Sequence, residues 1–428
     1  MNTSQQPTQR KSIFLNLSLF QFLSFVRRGV FYTFMINYVF DLMKSVTFTA
    51  SLGTLDMVAS ALGQNLLWGK VEDKHRLGAK LVMAGESIAA ALYFIVFQVH
   101  TSLLSSQADF LAGLSLIIGL SILEFFWSMS DVGWAALLTG STTSKTRGRV
   151  VGSLNFIASL GRMIGINFSG YLYNNGEGFR SGTIFYIVIA MLLTSATIMW
   201  LTSKSAKPDT RTEAIHTEAP EKKTSINYNA KVYKWFLISL IITVIGAASI
   251  NQVFLLFIRL PEGLGATSPE MSFILTAYTI GGMLISLTCG WLADRTGRAR
   301  VLIMGLALAL LTPLLYSLAP NVYAMAIVFG LNGVAFWTIQ TVGFAFAGDI
   351  IPEDRRGRLF SRYNTVMALG WGPAGFLVGA PLADIQTKAL GLSAYAAYVN
   401  TFYVSSTLVA LGTIVFIAKV ARQKTKTA

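Results

Sequence analysis

Cysteine is all but missing. Cys289 is the single one in 428 residues, which excludes an internal disulfide and a cysteine-built metal centre. Histidine is nearly as scarce, and His75, His100 and His216 are too far apart in sequence to read as a ligand set. Asp, Glu, Lys and Arg together make up only 13%, about half of what a soluble domain of this size carries. No glycine-rich loop ends in Gly-Lys-Ser/Thr, so ATP is not expected as a direct energy source. No Ser/His/Asp constellation shares a plausible site, and Glu124 with Asp131 is the one pair of acids an intramembrane enzyme could use. No enzyme and no cofactor are expected.

Apolar residues fill the space instead, at 53% of the chain. They fall into twelve blocks, from 13–40 to 394–418, each near the ~20 residues a helix needs to cross a bilayer. The blocks carry Gly and Ser freely, which suits close helix packing in lipid. A membrane barrel would show short alternating segments instead.

The net charge of +14 is arranged by side of the membrane, so it argues for topology and not for a nucleic acid partner. With the amino terminus inside, 27 of the 34 Lys and Arg residues face the cytoplasm. Lys44, Arg180, Arg259 and Lys388 fall outside, and Arg27, Arg28 and Arg162 lie within spans. This bias predicts a multi-pass protein of the inner (plasma) membrane with both termini cytoplasmic. The surplus also attracts anionic membrane lipid.

The chain repeats itself. Phe126-Trp127 followed by Val132-Gly133-Trp134 returns 210 positions on as Phe336-Trp337 and Val342-Gly343-Phe344. Arg147-Gly148-Arg149 with Asn155 returns 209 positions on as Arg356-Gly357-Arg358 with Asn364. Gly69 with Asp73 returns as Gly290 with Asp294. A duplicated apolar chain is the mark of a transporter made of two parallel halves. The expected organisation is an all-α integral membrane protein of twelve transmembrane helices: a six-helix half at 1–201, a polar cytoplasmic linker at 202–234, and a second six-helix half at 235–428.

Gly290-Trp-Leu-Ala-Asp294-Arg295-Thr-Gly297-Arg298-Ala-Arg300 resembles the signature loop of the major facilitator superfamily. A degraded copy, Gly69-Lys-Val-Glu72-Asp73-Lys74-His-Arg76-Leu-Gly78, stands at the matching place in the first half. The resemblance covers the whole chain. It implies alternating access of a central site, no cofactor and a small-molecule substrate, and a monomer is expected. Read from the residues alone, the acids of these loops can cap helix starts, and the arginines can latch the cytoplasmic side. The alternative is an ordinary charged turn. The latch candidates are Gly69, Asp73, Gly290, Asp294, Arg295, Gly297 and Arg298.

Ionisable residues inside spans are costly, so each is a functional candidate. They are Arg27, Arg28, Asp56, Glu86, Glu124, Asp131 and Arg162, all in the first half. The repeat puts Thr341, Val334 and Trp371 where Asp131, Glu124 and Arg162 stand. Proton handling is therefore expected in the first half, through Asp131 or Glu124 paired with Arg27, Arg28 or Arg162, and Asp56 is a further candidate. A static buried ion pair is the alternative. Glu86 sits a turn or two inside the cytoplasmic boundary and is expected to reach water. Arg27 and Arg28 are neighbours on a helix, so only one can face a cavity squarely. Substrate-cavity candidates are Trp127, Trp134, Asn251, Gln252, Asn332, Trp337 and Gln340. Export of amphipathic compounds suits the acids and aromatics. Uptake of a polar or anionic nutrient suits the arginines and amides. A lipid mover or sensor on the same scaffold is a third reading.

Overall fold

The computed structural model describes residues 7–142, 144–205, 229–352 and 356–422. Among them every regular element is helical. The chain forms two compact units: residues 1–43 with 55–221, and residues 44–54 with 222–428. The first turns of α2 (Val46–Leu62) therefore group with the second unit. Residues 206–228 of the expected linker lie outside the described residues.

The first unit holds α1 (Pro7–Met43), the lower part of α2, α3 (Gly69–His75), α4 (Ala79–Ser105), α5 (Asp109–Ser141), α6 (Ser144–Tyr173), α7 (Glu177–Arg180) and α8 (Thr183–Ser205). The second holds α9 (Ala230–Ser249), α10 (Asn251–Arg259), α11 (Ser268–Thr296), α12 (Arg298–Tyr316), α13 (Val322–Ile350), α14 (Arg356–Trp371), α15 (Ala380–Lys388) and α16 (Ala394–Phe416). The helix pairs α1–α6, α4–α5, α4–α8 and α1–α8 of the first unit recur as α9–α14, α12–α13, α12–α16 and α9–α16 in the second. The sequence repeat is thus a repeat of packing.

Among the described residues, ten helical stretches are long and apolar enough to cross a membrane, and a bent pair, Ser268–Ser286 with Thr288–Thr296, makes eleven. The twelfth expected span corresponds to α1. It is long enough, but Asn16, Gln21, Arg27 and Arg28 dilute its apolar run. Large apolar side chains such as Leu66, Leu284, Ile327 and Leu377 are left exposed, as lipid contact requires and water would penalise.

Helix ends follow local chemistry. Asn229, Asn321 and Ser393 accept from backbone N–H groups of the first turns of α9, α13 and α16. Thr267 and Glu270 form a reciprocal capping box at α11, with Pro269 in its first turn. Gly297, at φ 97°, separates α11 from α12, a backbone conformation side chains resist. Asp384 on α15 holds the start of α2: it accepts from Ser45 Oγ at 2.7 Å, Val46 N at 3.2 Å and Thr47 N at 2.9 Å. Lys388 balances its charge at 3.1 Å.

Small residues bring α1 and α6 together. A Cβ on Gly29 would stand 2.7 Å from the Arg162 carbonyl oxygen, and one on Gly165 would stand 3.0 Å from Gly29 Cα. Ser169 of α6 donates to the Val30 carbonyl of α1 at 2.7 Å. This contact sets the rotation of α1, and with it the direction of Arg27 and Arg28. In the second unit, two spans break at facing places. One breaks at Ile250, between α9 and α10. The other breaks after Trp371, at Gly372-Pro373, and passes through a π-helical turn at Gly375–Gly379. Gly375 lies against Gln252 and Gly379 against the Ser249 carbonyl.

Candidate functional site

In the first unit, two adjacent arginines of α1 meet acids from α4 and α5 around one indole. Both guanidinium carbons, of Arg27 and Arg28, lie 4.5 Å from the Trp127 ring centroid, within cation–π range. Trp127 donates its N–H to Glu86 Oε1 at 2.8 Å, and Ser130 Oγ donates to the same atom at 2.8 Å. Arg27 is 1% exposed and Glu86 is 0% exposed. Arg27 Nη1 reaches Tyr93 Oη at 3.5 Å. Arg27 Nε and Nη2 and Glu86 Oε2 have no hydrogen-bond partner among the described residues. Two opposite charges are thus held in one field without closing into an ion pair, although burial of unpaired charge is costly.

Glu86 corrects the expectation that it reaches water. Its distance from the cytoplasmic boundary suggested exposure, but α5 covers it with Trp127 and Ser130. Arg28 and Asp131 are the open members. They pair at 3.6 Å with side chains 37% and 42% exposed. Gln64 Nε2 also reaches Asp131 at 3.5 Å. One turn to two turns away, Tyr32 donates to Glu124 at 2.6 Å, and Ser121 donates to Asp56 at 3.0 Å. The Arg162 side chain is exposed on α6, on a helix whose glycines face α1.

Trp127 and Trp134 were expected to line a cavity. Trp127 is only 2% exposed, and its ring is taken up by the two guanidiniums. Trp134 packs on Phe20 at 5.3 Å, within an apolar cluster that includes Leu17, Val82, Leu154 and Met199.

The second unit carries a cavity of about 30 Å³ lined by Asn251, Asn332, Gln340, Tyr278, Phe336 and Trp371, with Thr243 and apolar residues completing the wall. Gln252, beside Asn251, instead turns toward Gly375, and its Oε1 lacks a hydrogen-bond partner among the described residues. Trp337 is 40% exposed and packs on Gly282 of α11. Its neighbour Phe336 takes the place at the cavity, one helical step of about 100° away.

At the loops, Arg298 binds three acceptors of the second unit: the Ala345 carbonyl at 2.9 Å, Asp294 at 3.5 Å and Asp349. Arg295 lies 4.2 Å over Trp291. In the degraded copy the tie is made by Glu72, which accepts from Gly78 N at 2.9 Å, and Asp73 is exposed. Gly69 opens α3, and a Cβ on Gly290 would meet nothing within 4 Å.

Sequence reasoning missed Tyr93, Ser130, Asp349 and Asp384. One signal was available: Tyr93 follows Glu86 by seven positions, the spacing of one helix face.

Comparison with known proteins follows from this geometry. A family model described as Major Facilitator Superfamily matches residues 17–261 and again 238–428. The chain is 23% identical over 322 residues to the multi-drug resistance efflux pump PmrA homolog of Lactococcus lactis, covering 74% of each chain. It is 32% identical over 114 residues to a Bacillus subtilis protein named for metabolite transport, covering 27% of this chain and 24% of that one. Among solved structures, a bacterial homologue of the iron transporter ferroportin in an inward-facing state superposes with a TM-score of 0.71 at 15% identity, covering 97% of this chain and 99% of that one. That likeness concerns the fold.

Proposed function

The chain belongs to the Major Facilitator Superfamily, and on that premise we propose that this membrane transporter is proton-coupled and exports a small organic solute by alternating access. The observation that carries the coupling is the arginine pair on α1 sharing Trp127 while the acids Glu86 and Asp131 stand on either side. Asp131 is open to solvent, and there a proton competes with Arg28. When Asp131 is protonated its hold on Arg28 is lost. Arg28 is then left to Trp127 and to Glu124, whose charge it already feels. Arg27 stays buried in the field of Glu86. A proton exchanged for a guanidinium in this way links solvent to a shift of α1 against α5.

Export is supported by the efflux relative that matches 74% of the chain. The half-exposed Arg28 favours a second reading, uptake of a polar or anionic nutrient. The protein sits in the inner membrane as a monomer with both termini cytoplasmic, its halves being residues 1–201 and 235–428 with the linker at 202–234. The loops around Arg298 and Glu72 act as cytoplasmic latches. The test is pH-dye fluorescence in liposomes holding the purified protein, screened with sugars, organic acids and lipophilic cations. A solute-dependent proton flux is expected, and its sign separates antiport from symport. No flux with any solute would reject proton coupling.

A further inference from the structure

We propose that the cavity of the second unit recognises a neutral, flat solute by an amide-like edge that both gives and takes hydrogen bonds. Pyrimidine-diones and aryl carboxamides are the chemical class. This assignment rests on the transporter reading and narrows its substrate.

The lining holds no charged side chain. A permanent ion entering it would lose hydration without a counter-charge. The polar groups are chiefly three carboxamides, and the fold spends little of them. Thr312 donates to Asn332 Oδ1 at 3.3 Å, which uses the acceptor and leaves the Asn332 N–H groups to donate. Asn251 and Gln340 make no side-chain hydrogen bond among the described residues. Each therefore keeps a carbonyl acceptor and two N–H donors in one plane. Thr243 does not compete for a guest, because its hydroxyl donates to the Ser239 carbonyl at 2.9 Å.

A solute edge that alternates donor and acceptor matches this set. A polyol also alternates them, so the rings decide. Phe336 and Trp371 lie 4.7 Å apart at 39°, and Tyr278 and Phe336 lie 6.3 Å apart at 32°. All three rings line the cavity, and an aromatic wall favours a flat guest over a polyol. The space of about 30 Å³ is small, so the carboxamides that line it meet the edge of a guest.

The test is equilibrium binding of radiolabelled uracil and nicotinamide to the purified full-length protein, with galactose and tetraphenylphosphonium as competitors. Saturable binding of either label is expected, displaced by the other and by neither competitor. Asn251→Ala and Gln340→Ala should each weaken it about tenfold, the size of one net hydrogen bond or slightly more. Where an alanine variant fails to fold, Gln340→Glu keeps the side-chain shape, adds a charge, and should lose binding by at least as much. Displacement by galactose, or no saturable binding of either label to folded protein, overturns the assignment. Proton flux separates this claim from the coupling reading. Uracil binding without a uracil-linked pH change keeps the cavity assignment and removes the coupling. A tetraphenylphosphonium-linked pH change without uracil or nicotinamide binding does the reverse.

Discussion

Trp127 donates its indole N–H to Glu86 across 2.8 Å while the same ring carries Arg27 and Arg28 on it at 4.5 Å. One side chain thereby sets the spacing of a buried acid and two cations. Trp127→Phe keeps an aromatic face and removes the donor, so the cost should be about 1–3 kcal/mol. Thermal unfolding in detergent measures it. An unchanged melting temperature would deny Trp127 its organising place.

Glu86 separates charge from hydrogen bonding. Glu86→Gln keeps an oxygen for Trp127 and Ser130 and deletes the buried charge. Glu86→Ala leaves both donors without that acceptor and Arg27 without the buried opposite charge. The alanine variant should be the less stable by about 2–4 kcal/mol, and chemical denaturation of the two variants side by side gives the difference.

Asp131→Asn preserves size and its contact with Gln64 but cannot exchange a proton. It should insert and fold as the parent does and lose gradient-driven transport in liposomes. Full accumulation of solute by this variant would remove Asp131 from the coupling.

Asp384→Ala strips the start of α2 of its acceptor. The expected loss is about 1–2 kcal/mol, concentrated locally. Hydrogen exchange should show faster uptake over 45–50, with little change in α4 or α5; uniform uptake along the chain would argue against a local role.

Glycines of different surroundings should answer differently. Gly165→Ala sets a Cβ against Gly29 Cα at 3.0 Å and pushes α1 from α6, costing about 1–3 kcal/mol. Gly290→Ala meets open space on α11 and should be neutral or stabilising by up to about 1 kcal/mol. Paired melting curves compare them.

The helices and the duplication were legible because both depend on local properties: span length, apolar run and recurring motif. Placement of side chains depends on what covers them. Glu86 looked close to water along the chain, yet Trp127 and Ser130, 41 and 44 positions away, bury it. Asp384 was not picked out from the sequence, because its partners at Ser45 and Thr47 lie 339 and 337 positions off. Trp337 and Phe336 differ by one step of rotation, and that rotation is set by the fit of Trp337 on Gly282. Asn251, Asn332 and Gln340 could be picked out as polar residues in apolar helices; that they share one cavity could not.

Among the described residues Asn251 and Gln340 make no side-chain hydrogen bond, so no hydrogen bond of the scaffold rests on their side chains. On the proposed assignment, exchanging them should alter which solute the cavity takes and leave helix packing intact. On that assignment selection can retune the solute at these two codons while Gly29 and Gly165 stay locked by contact. A lineage built on this plan diversifies its chemistry from the cavity inward, with its architecture held still.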